Sequence, residues 1–318
     1  MALSVALALA AVTLGGGGWA YHHLDGNLRA VELASLRDEP RPSPLATGAR
    51  TVLVLGSDSR AGENGAVAGA GGEADGGARS DVAMLVHLPE GRDRATSVSI
   101  PRDTLVDRPA CTDDRGKRLA AARQVMFNSV YAQGGAACAV RAVEALSGMR
   151  VDHFAVVDFA GFRSFVDALG GVNVELDEGV EDPGTGLALA AGRHRLDGDR
   201  ALALVRARHG VGDGGDLGRI ANQQRVVRAL LAELDRQRLL TQPVKLYRLA
   251  SALTKSLTTD SELASLGSLL AFARSMQHID PGKLTTVTLP VVPYVPNPDR
   301  LVPDSAKSAE LWQRLKGS

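Results

Sequence analysis

Pairs of aspartate and arginine stand beside three apolar runs in the first third of the sequence. If these runs are strands, the pairs lie at strand ends, where open α/β sheets carry their ligand groups. Any single pair could be ordinary solvated turn chemistry, but the repetition indicates one shared site. The three pairs are Asp58 with Arg60, Arg79 with Asp81, and Arg102 with Asp103.

A second group of charged and amide residues begins at Arg206 and Arg208, which are two apart after an apolar run. In an extended segment this spacing puts both guanidinium groups on one face. Asp216 precedes Arg219 and Gln223, which are four apart and share one face of a helix near its N-terminus. Free N–H groups and the dipole at a helix start attract phosphate, so an anion site is predicted here. Ordinary salt bridges are the alternative.

Carboxylates among so many arginines indicate a hard divalent cation. Mg²⁺ or Mn²⁺ takes one or two carboxylates plus phosphate oxygens of a substrate. The planar fork of an arginine fits the remaining phosphate oxygens. The combination predicts phosphoryl transfer, in which catalysis is mostly positioning and charge stabilisation. The sequence contains no Walker lysine motif, no H-E-x-x-H and no G-x-S-x-G elbow.

Strand and helix patterns alternate from residue 51 to the end of the sequence. Short apolar runs predict strands at 51–55, 81–88, 95–100, 153–157, 172–176 and 284–289. Helical periodicity predicts helices at 136–146, 160–169, 219–238, 243–255, 261–276 and 306–316. The alternation predicts one α/β domain with helices covering a central sheet. The glycine-rich segment 61–78 lacks any periodicity and is predicted to be a loop.

The first twenty residues indicate a membrane anchor. Ala2–Ala20 carries no charge, and its nineteen residues would span roughly 28 Å as a helix, close to a bilayer core. Trp19 and Tyr21 stand at its end, where aromatic side chains prefer the membrane interface. We expect a single-pass, uncleaved anchor and an extracytoplasmic domain; a cleaved signal peptide is the alternative. The predicted organisation is anchor 1–20, linker 21–48, domain 49–295 and a C-terminal tail with a terminal helix at 296–318.

Charge and composition argue against nucleic acid as a partner. Lysine plus arginine and aspartate plus glutamate both number 36, so there is no cationic field to attract a phosphate backbone. Aromatic residues make up 4% of the chain, which is too few for base-stacking platforms.

The two cysteines, Cys111 and Cys138, are predicted to form a disulfide. Outside the cytoplasm a lone pair favours a disulfide over a zinc site, which needs further ligands at short spacing. Two free buried thiols are the alternative.

The order of these motifs resembles the LytR-CpsA-Psr family over about residues 50–235, and a cysteine pair at this place resembles actinobacterial members. The resemblance implies a single three-layer α/β domain with a central mixed sheet covered by helices. The glycine-rich insertion between Asp58 and Asp81 departs from the family pattern. The matching motifs are Val54–Arg60, Arg79–Asp81, Ser99–Asp103, Asn128 with Gly134 and Gly135, Phe165–Val172, Gly192–Leu202 and Arg206–Gln224.

The resemblance implies a Mg²⁺-dependent phosphotransferase anchored in the cell membrane. Such an enzyme moves a glycopolymer, for example teichoic acid or arabinogalactan, from a polyprenyl-pyrophosphate carrier to peptidoglycan through a phosphodiester link. An apolar groove would hold the lipid; Phe162, Phe165 and Val166 are either its lining or simply core.

The resemblance also implies roles for single residues. Asp58 and Asp81 would bind the metal. Arg79, Arg102 and Asp103 are the catalytic candidates. The candidate ligands of the pyrophosphate are Arg60, Arg79, Arg102, Arg206, Arg208, Arg219 and Gln223.

The expected mechanism is attack by the C6 hydroxyl of a muramic-acid residue on the sugar-proximal phosphorus, with release of polyprenyl phosphate. This step needs a general base or a strongly polarised hydroxyl, and both Asp103 and Asp81 are candidates for the base. A polyprenyl-pyrophosphate hydrolase needs the same residues and stays an alternative, as does binding without turnover. A transcriptional attenuator would need a helix-turn-helix or basic stripe, which the sequence lacks.

Overall fold

Seven strands form one central sheet in the computed structural model, which describes residues 16–31, 40–46, 48–58, 79–91, 93–113, 116–208, 216–237, 239–276 and 279–318. The strands are β1 (Arg29–Val31), β2 (Arg50–Asp58), β3 (Arg79–Leu88), β4 (Ala95–Ser99), β5 (Leu105–Arg108), β6 (Cys111–Thr112), β7 (Arg118–Leu119), β8 (Ala122–Met126), β9 (His153–Asp158), β10 (Val172–Leu176), β11 (Val180–Asp182), β12 (Leu187–Leu189), β13 (Gly192–Leu196), β14 (Leu257–Asp260), β15 (Leu284–Thr288), β16 (Val291–Tyr294) and β17 (Asn297–Pro303).

Eight helices are described. They are α1 (16–25), α2 (Phe127–Ser147), α3 (Phe159–Leu169), α4 (Gly198–Arg206), α5 (Asp216–Arg236), α6 (Pro243–Ser256), α7 (Leu266–Ser275) and α8 (Ser305–Lys316), with 3-10 turns at Leu239–Thr241 and Pro281–Lys283.

The central sheet is mixed, as expected from the family resemblance. Its strand order is β1-β14-β9-β2-β3-β4-β15. The pairs β1–β14, β9–β2 and β4–β15 are parallel, and the other three are antiparallel. The C-terminal ends of β2, β9, β4 and β15 and the N-terminal end of β3 therefore share one end of the sheet, which we call the site end.

Helices cover both faces of this sheet. Because side chains alternate along a strand, the apolar runs of β2 and β3 bury residues on each side. Leu53 and Leu85 are fully buried on one face, in a core shared with α2 and with Trp312 of α8. Met84 packs on the other face in a second core that includes Val226 of α5. The molecule is thus a three-layer α/β structure, as the sequence predicts.

Most predicted elements are present within a few residues of their expected ends, but α2 begins at Phe127, nine residues before its predicted start, and one further segment has a different structure. The run at 201–205 lies in helix α4 and not in an extended segment. Asp197 caps this helix by accepting a hydrogen bond from the N–H of Arg200 at 2.9 Å. Alanine and leucine are strong helix formers, so the local sequence agrees with a helix. Arg206 ends the helix, and Arg208 lies beyond it.

The described part of the predicted linker 21–48 contributes to the fold. β1 pairs with β14 in the central sheet. Arg41 donates from Nη2 to Oε1 of the buried Glu144 at 2.6 Å. The linker prediction rests on local prolines and polarity, which carry no information on pairing with distant strands. Residues 32–39 lie outside the described residues.

The predicted tail 296–318 is also part of the domain. β17 pairs with β16, and α8 packs Leu311, Trp312 and Leu315 into the core. The spacing of these three residues puts them on one helical face. The sequence therefore predicts the helix, but it does not show that the helix packs into the core.

Residues 1–15, most of the predicted anchor, lie outside the described residues, as does the segment 61–78. Within the described ranges, no helix combines the length and the apolar character needed to cross a membrane.

A disulfide joins Cys111 of β6 to Cys138 of α2. The cysteines are 27 residues apart, and closing a loop of this size stabilises a fold by roughly 3–4 kcal/mol on the chain-entropy model. Gly134 makes room for the bridge, because a Cβ at this position would collide with Sγ of Cys138.

Candidate active site

Charged side chains from β3, from the turn after β4 and from the start of α5 meet at the site end of the sheet. We call this group the Arg/Asp cluster; its members are Asp81, Arg102, Asp103, Asp216 and Arg219. Arg102 Nη1 donates to Asp81 Oδ1 at 2.6 Å, and Arg219 Nη1 lies 3.8 Å from the same oxygen. Arg102 Nε is 3.4 Å from Asp103 Oδ2. The sequence motifs are thus close together in space.

Asp81 lies at a β-bulge. Gly56 pairs with Val82, and Ser57 pairs with Ser80, so Asp81 has no partner on β2. Ser80 Oγ donates to the carbonyl of Val82 at 2.9 Å across the bulge. Bulges turn a side chain out of the regular alternation and are frequent beside active sites. The bulge therefore positions the carboxylate that both arginines contact.

The turn that carries Arg102 and Asp103 is held from two sides. The N–H of Arg102 donates to Asp216 Oδ2 at 2.9 Å. The carbonyl of Arg102 accepts a hydrogen bond from the N–H of Asn128, at 3.0 Å, in the first turn of α2. The starts of α5 and α2 thus fix the turn by its backbone, which leaves the guanidinium group of Arg102 to the cluster.

Arg219 is almost fully buried, with 2% of its side chain exposed, and forms an ion pair with Asp216 one turn earlier in α5. Among the described residues, its Nε finds no hydrogen-bond partner. Burying an N–H without a partner costs free energy, and an anionic ligand would supply an acceptor. The sequence shows Asp216 only as part of a motif, whereas the structure shows that it holds both Arg102 and Arg219.

The charges of the cluster act on one another. Burial lowers the pKa of Arg219, and the neighbouring positive charges of Arg102 and Arg208 lower it further, against the effect of Asp216. Burial also opposes the charge of Arg102, but Asp81 and Asp103 outweigh it, so the pKa of Arg102 is raised. Burial raises the pKa of the Asp216 carboxyl. The site therefore keeps several incompletely solvated guanidinium groups close together, and this arrangement favours the binding of an anion.

Arg208 and Arg206 occupy different surroundings. The pKa of Arg208 is lowered by partial burial and by the charge of Arg102, so its guanidinium group belongs near the cluster. Its N–H donates to Asp182 Oδ2 at 2.5 Å. Arg206 lies over the ring of Phe159, with its guanidinium carbon 5.5 Å from the ring centroid. The predicted common face is absent because α4 ends between the two arginines.

Gln223 connects the cluster to an apolar cavity. Its Nε2 lies 3.4 Å from the carbonyl of Asp81 and 3.3 Å from that of Val205. It also lines a cavity of about 240 Å³ between the sheet and helices α3 to α6. Phe162 and Phe165 line this cavity as well, whereas Val166 is fully buried in the core. Apart from Gln223, a serine and two glycines, the lining side chains are apolar.

Three predicted site residues are described in part or not at all. The backbones of Asp58 and Arg79 pair with each other at the ends of β2 and β3, so both positions are at the site end. Their side chains, and all of Arg60, lie outside the described residues.

Two residues near Asp103 are not among the predicted site residues, although Asn128 belongs to one of the matching motifs. Asn128 Nδ2 lies 3.5 Å from Asp103 Oδ1, and Arg300 Nη1 lies 4.0 Å from the same oxygen. Arg300 comes from β17, which is bridged to the active-site turn by Thr104 and Leu301. A single arginine in a predicted tail gives no sequence signal for this position.

Known proteins of one family resemble this chain in sequence and in structure. The sequence pattern of the LytR_cpsA_psr family matches residues 20–317. The cell wall biosynthesis protein LcpA of Corynebacterium glutamicum is 34% identical over 273 residues, 77% of this chain and 51% of that protein. The polyisoprenyl-teichoic acid–peptidoglycan teichoic acid transferase TagU of Bacillus mycoides is 33% identical over 181 residues, 57% of this chain and 51% of that protein.

A solved structure supports the same relationship. The LytR-Csp2A-Psr enzyme from Actinomyces oris superimposes with a TM-score of 0.65 and 28% identity, covering 91% of this chain and 96% of that chain. The chain spans about half the length of the curated relatives named above. Because the family match extends over nearly the whole sequence, the chain belongs to the LytR_cpsA_psr family.

Proposed function

We propose that this protein is a phosphotransferase that moves a glycopolymer from a polyprenyl-pyrophosphate carrier to peptidoglycan. The observation that carries the proposal is the junction at Gln223, which joins a cluster of buried arginines to an apolar cavity. A substrate with a diphosphate next to a long apolar chain matches both parts. The name of the TagU relative, a teichoic acid–peptidoglycan transferase, supports the same reaction class.

The arginines would hold the diphosphate. Arg102 and Arg219 both contact Asp81, whose carbonyl oxygen lies 3.4 Å from Gln223 Nε2, and the charge of Arg208 lowers the pKa of Arg219. Guanidinium groups bind phosphate oxygens with two parallel hydrogen bonds and stay charged when partly buried. We assign Arg79, Arg206 and Arg60 to the same anion as further ligands.

The cavity would hold the first part of the polyprenyl chain. Its lining is aliphatic and aromatic, with Met84, Phe162, Phe165 and Leu230 among the contributors. Removing an apolar chain from water contributes about 0.8 kcal/mol per buried methylene. Lipid binding there would therefore supply much of the affinity and would place the diphosphate at the cluster.

Asp81 and Asp58 are the proposed ligands of Mg²⁺, or of Mn²⁺. Carboxylate oxygens are the donors that these hard cations prefer, and both residues belong to adjacent strand ends. The bound cation would neutralise charge that builds up on the phosphate oxygens. Asp81, which now faces Arg102 and Arg219, would then leave both guanidinium groups available to the diphosphate.

Asp103 is the proposed general base. Its Oδ1 lies 3.5 Å from Asn128 Nδ2 and 4.0 Å from Arg300 Nη1, which would orient the carboxylate, while Asp81 is assigned to the cation. The C6 hydroxyl of muramic acid would give its proton to Asp103 as its oxygen attacks the sugar-proximal phosphorus. The bond from that phosphorus to the bridging oxygen breaks, and polyprenyl phosphate leaves with the electron pair.

The proposed location is the outer side of the cell membrane. The uncharged run Ala2–Ala20 supports a single-pass anchor, and the disulfide Cys111–Cys138 supports an oxidising compartment. The partners would be the lipid-linked polymer, the membrane and peptidoglycan, with no nucleic acid.

The test is incubation with a short lipid-pyrophosphate glycopolymer and peptidoglycan, with and without Mg²⁺. Polyprenyl phosphate should be released and the sugar phosphate should be found on the wall material. Free sugar phosphate alone would indicate a hydrolase and contradict the transferase. Arg102→Ala should abolish transfer, while Arg314→Ala, which removes an exposed arginine of α8, should leave it unchanged. Intact transfer by Arg102→Ala would contradict the site assignment.

A further inference from the structure

Helix α6 carries exposed apolar side chains in a row. Leu246 and Leu253 are two helical turns apart, so they lie on the same face, and they are 39% and 38% exposed. Val244, near the start of the helix, is 66% exposed. We call Leu246 and Leu253 the α6 stripe. Single exposed leucines are common on proteins, so the stripe indicates a binding surface only if independent features accompany it.

The first such feature is its continuity with the apolar cavity. Leu253 belongs to the stripe and also lines the cavity. The other lining residues are buried or half-buried. The cavity therefore opens at the stripe, while Gln223 connects it to the Arg/Asp cluster.

The second feature is the aromatic group beside the stripe. Trp19 of α1 is 63% exposed, and its ring centroid is 6.1 Å from that of Tyr247 in α6. Asn27 Nδ2 donates to Thr254 Oγ1 at 3.3 Å, which joins the segment after α1 to α6. Tryptophan and tyrosine are the residues that prefer the boundary between lipid and water. The uncharged sequence Ala2–Ala20 leads directly into this group.

The third feature is charge. Helix α6 contains Lys245, Arg248 and Lys255 and has no acidic residue. Cationic side chains next to an apolar stripe are typical of helices that lie in a membrane interface, where they attract anionic lipid head groups. This charge favours a bilayer as the occupant of the surface.

We infer that α6, together with Trp19 and Tyr247, rests on the surface of an anionic bilayer and holds the opening of the cavity against the lipid. Trp19 stands at the end of the predicted anchor, but α6 and Tyr247 belong to the folded domain, so this contact adds to the one that the anchor would make. The inference rests on the proposed function, since it gives the polyprenyl chain a path from membrane to cavity that does not cross water.

The contact can be measured without any substrate. The full-length chain is reconstituted into vesicles of phosphatidylcholine and phosphatidylglycerol, with a nitroxide attached to Leu246→Cys in one sample and to Val295→Cys in another. Val295 is 91% exposed in the turn between β16 and β17, which form a separate two-stranded sheet, and serves as the matched control. Collision rates with oxygen, which concentrates in lipid, and with a water-soluble nickel chelate are then compared.

The label at residue 246 should favour oxygen over the nickel chelate by roughly threefold or more relative to the label at residue 295, because interfacial side chains enter the acyl boundary. Equal ratios at the two positions would overturn the inference. Protection from both reagents would show a protein on the stripe and would also overturn it. Thermal unfolding of both labelled variants checks that the fold is retained.

A second variant connects the contact to turnover. Leu246→Glu should slow transfer from a long-chain donor embedded in anionic vesicles by about tenfold, because a carboxylate is repelled by that surface, yet leave transfer from a short, water-soluble donor unchanged. Equal loss with both donors, or no loss with either, would contradict the inference. If the unaltered chain transfers neither donor, the proposed function fails, whereas the nitroxide result still decides the membrane contact.

Discussion

At the scale of single residues, Asp216 is the carboxylate on which the arginines depend. It accepts the N–H of Arg102 and pairs with the buried Arg219, and neither contact requires it to touch a substrate. Its burial raises the pKa of its carboxyl group, because the charged form loses favourable contact with water. We therefore regard Asp216 as a positioning residue for the two arginines.

Asp216→Asn should test this role. The amide keeps the shape but leaves the buried Arg219 with only Asp81, 3.8 Å away, as a counter-charge, so the free energy of unfolding should fall by roughly 3 kcal/mol. Transfer should fall with it. The matched control is Asp199→Asn, at the start of α4, where an exposed pair with Arg163 predicts a loss of about 0–1 kcal/mol. Urea unfolding measures both, and equal losses would refute the positioning role.

Arg300 is a second residue whose role is visible only in three dimensions. It extends from β17 to Oδ1 of Asp103, whereas Arg102 lies near Oδ2 of the same carboxylate. Arg300→Gln should lower kcat of transfer by about tenfold, a part of what a well-placed general base contributes, while KM for the lipid donor stays the same. Arg300→Lys should recover most of the rate. A raised KM with unchanged kcat would place Arg300 on the donor instead.

At the scale of elements, the sequence predicts β2, β3, β4 and β9 well because these strands are buried and need continuous apolar runs, but it does not predict β1 and β14 of the same sheet. It also predicts the end of α3 at Leu169, where Gly170 adopts the left-handed conformation with φ 88°. It fails at α4, because five residues of alanine, leucine and valine are too few to separate a strand from a helix by periodicity.

The features that complete the site depend on pairing between distant segments, which local patterns do not contain. The bulge at Asp81 follows from the register between β2 and β3. The approach of Arg300 to Asp103 follows from the bridge between Thr104 and Leu301. The motifs could therefore be recognised as one site, but their contacts could not be derived from the sequence.

Asp260 at the end of β14 links three elements and gives the fold a dependence on pH. Its carboxylate accepts hydrogen bonds from the N–H groups of Phe154 in β9 and Leu263 before α7, and it lies 3.3 Å from His153 Nδ1. Burial would raise its pKa, but the hydrogen bond and charge of His153, with the two backbone donors, lower it overall.

A lowered pKa in the folded state means that the carboxylate contributes stability above the unfolded value of about 3.9, and that this contribution is lost as the pH falls through the folded pKa. Asp260→Asn should therefore destabilise the protein at neutral pH, and the difference from the unaltered chain should shrink below about pH 4. Urea unfolding at both pH values measures this. A difference independent of pH would show that the carboxylate acts only through its shape.

At the scale of the whole molecule, both ends of the described chain are built into the domain. β1 extends the sheet at one edge, and α8 fills the core on the face opposite the cavity. On the cavity face, α1 and the turn after it contact helix α6 through Trp19 and Asn27. The face that carries α8 is closely packed, whereas the opposite face contains the cavity.

The cavity carries a cost in stability. Apolar side chains that line an open cavity lose part of the packing that a filled core would give them. A cavity of about 240 Å³ between α3, α5 and α6 is thus a substantial loss for a fold that could fill it with larger side chains. Its retention is consistent with a lipid ligand that fills it in the working enzyme.

Leu230→Trp separates the two effects, since Leu230 lines the cavity from α5 and is half-buried. The larger ring should occupy the space, so the midpoint of thermal unfolding should stay the same or rise. Binding of polyprenyl phosphate should weaken by roughly tenfold or more, because each methylene kept out of the cavity loses about 0.8 kcal/mol. Leu270→Trp, at an exposed position of α7, is the matched control and should change neither quantity. Unchanged lipid affinity in Leu230→Trp would show that the polyprenyl chain binds elsewhere. The cavity and the arginines would then not bind two parts of one substrate.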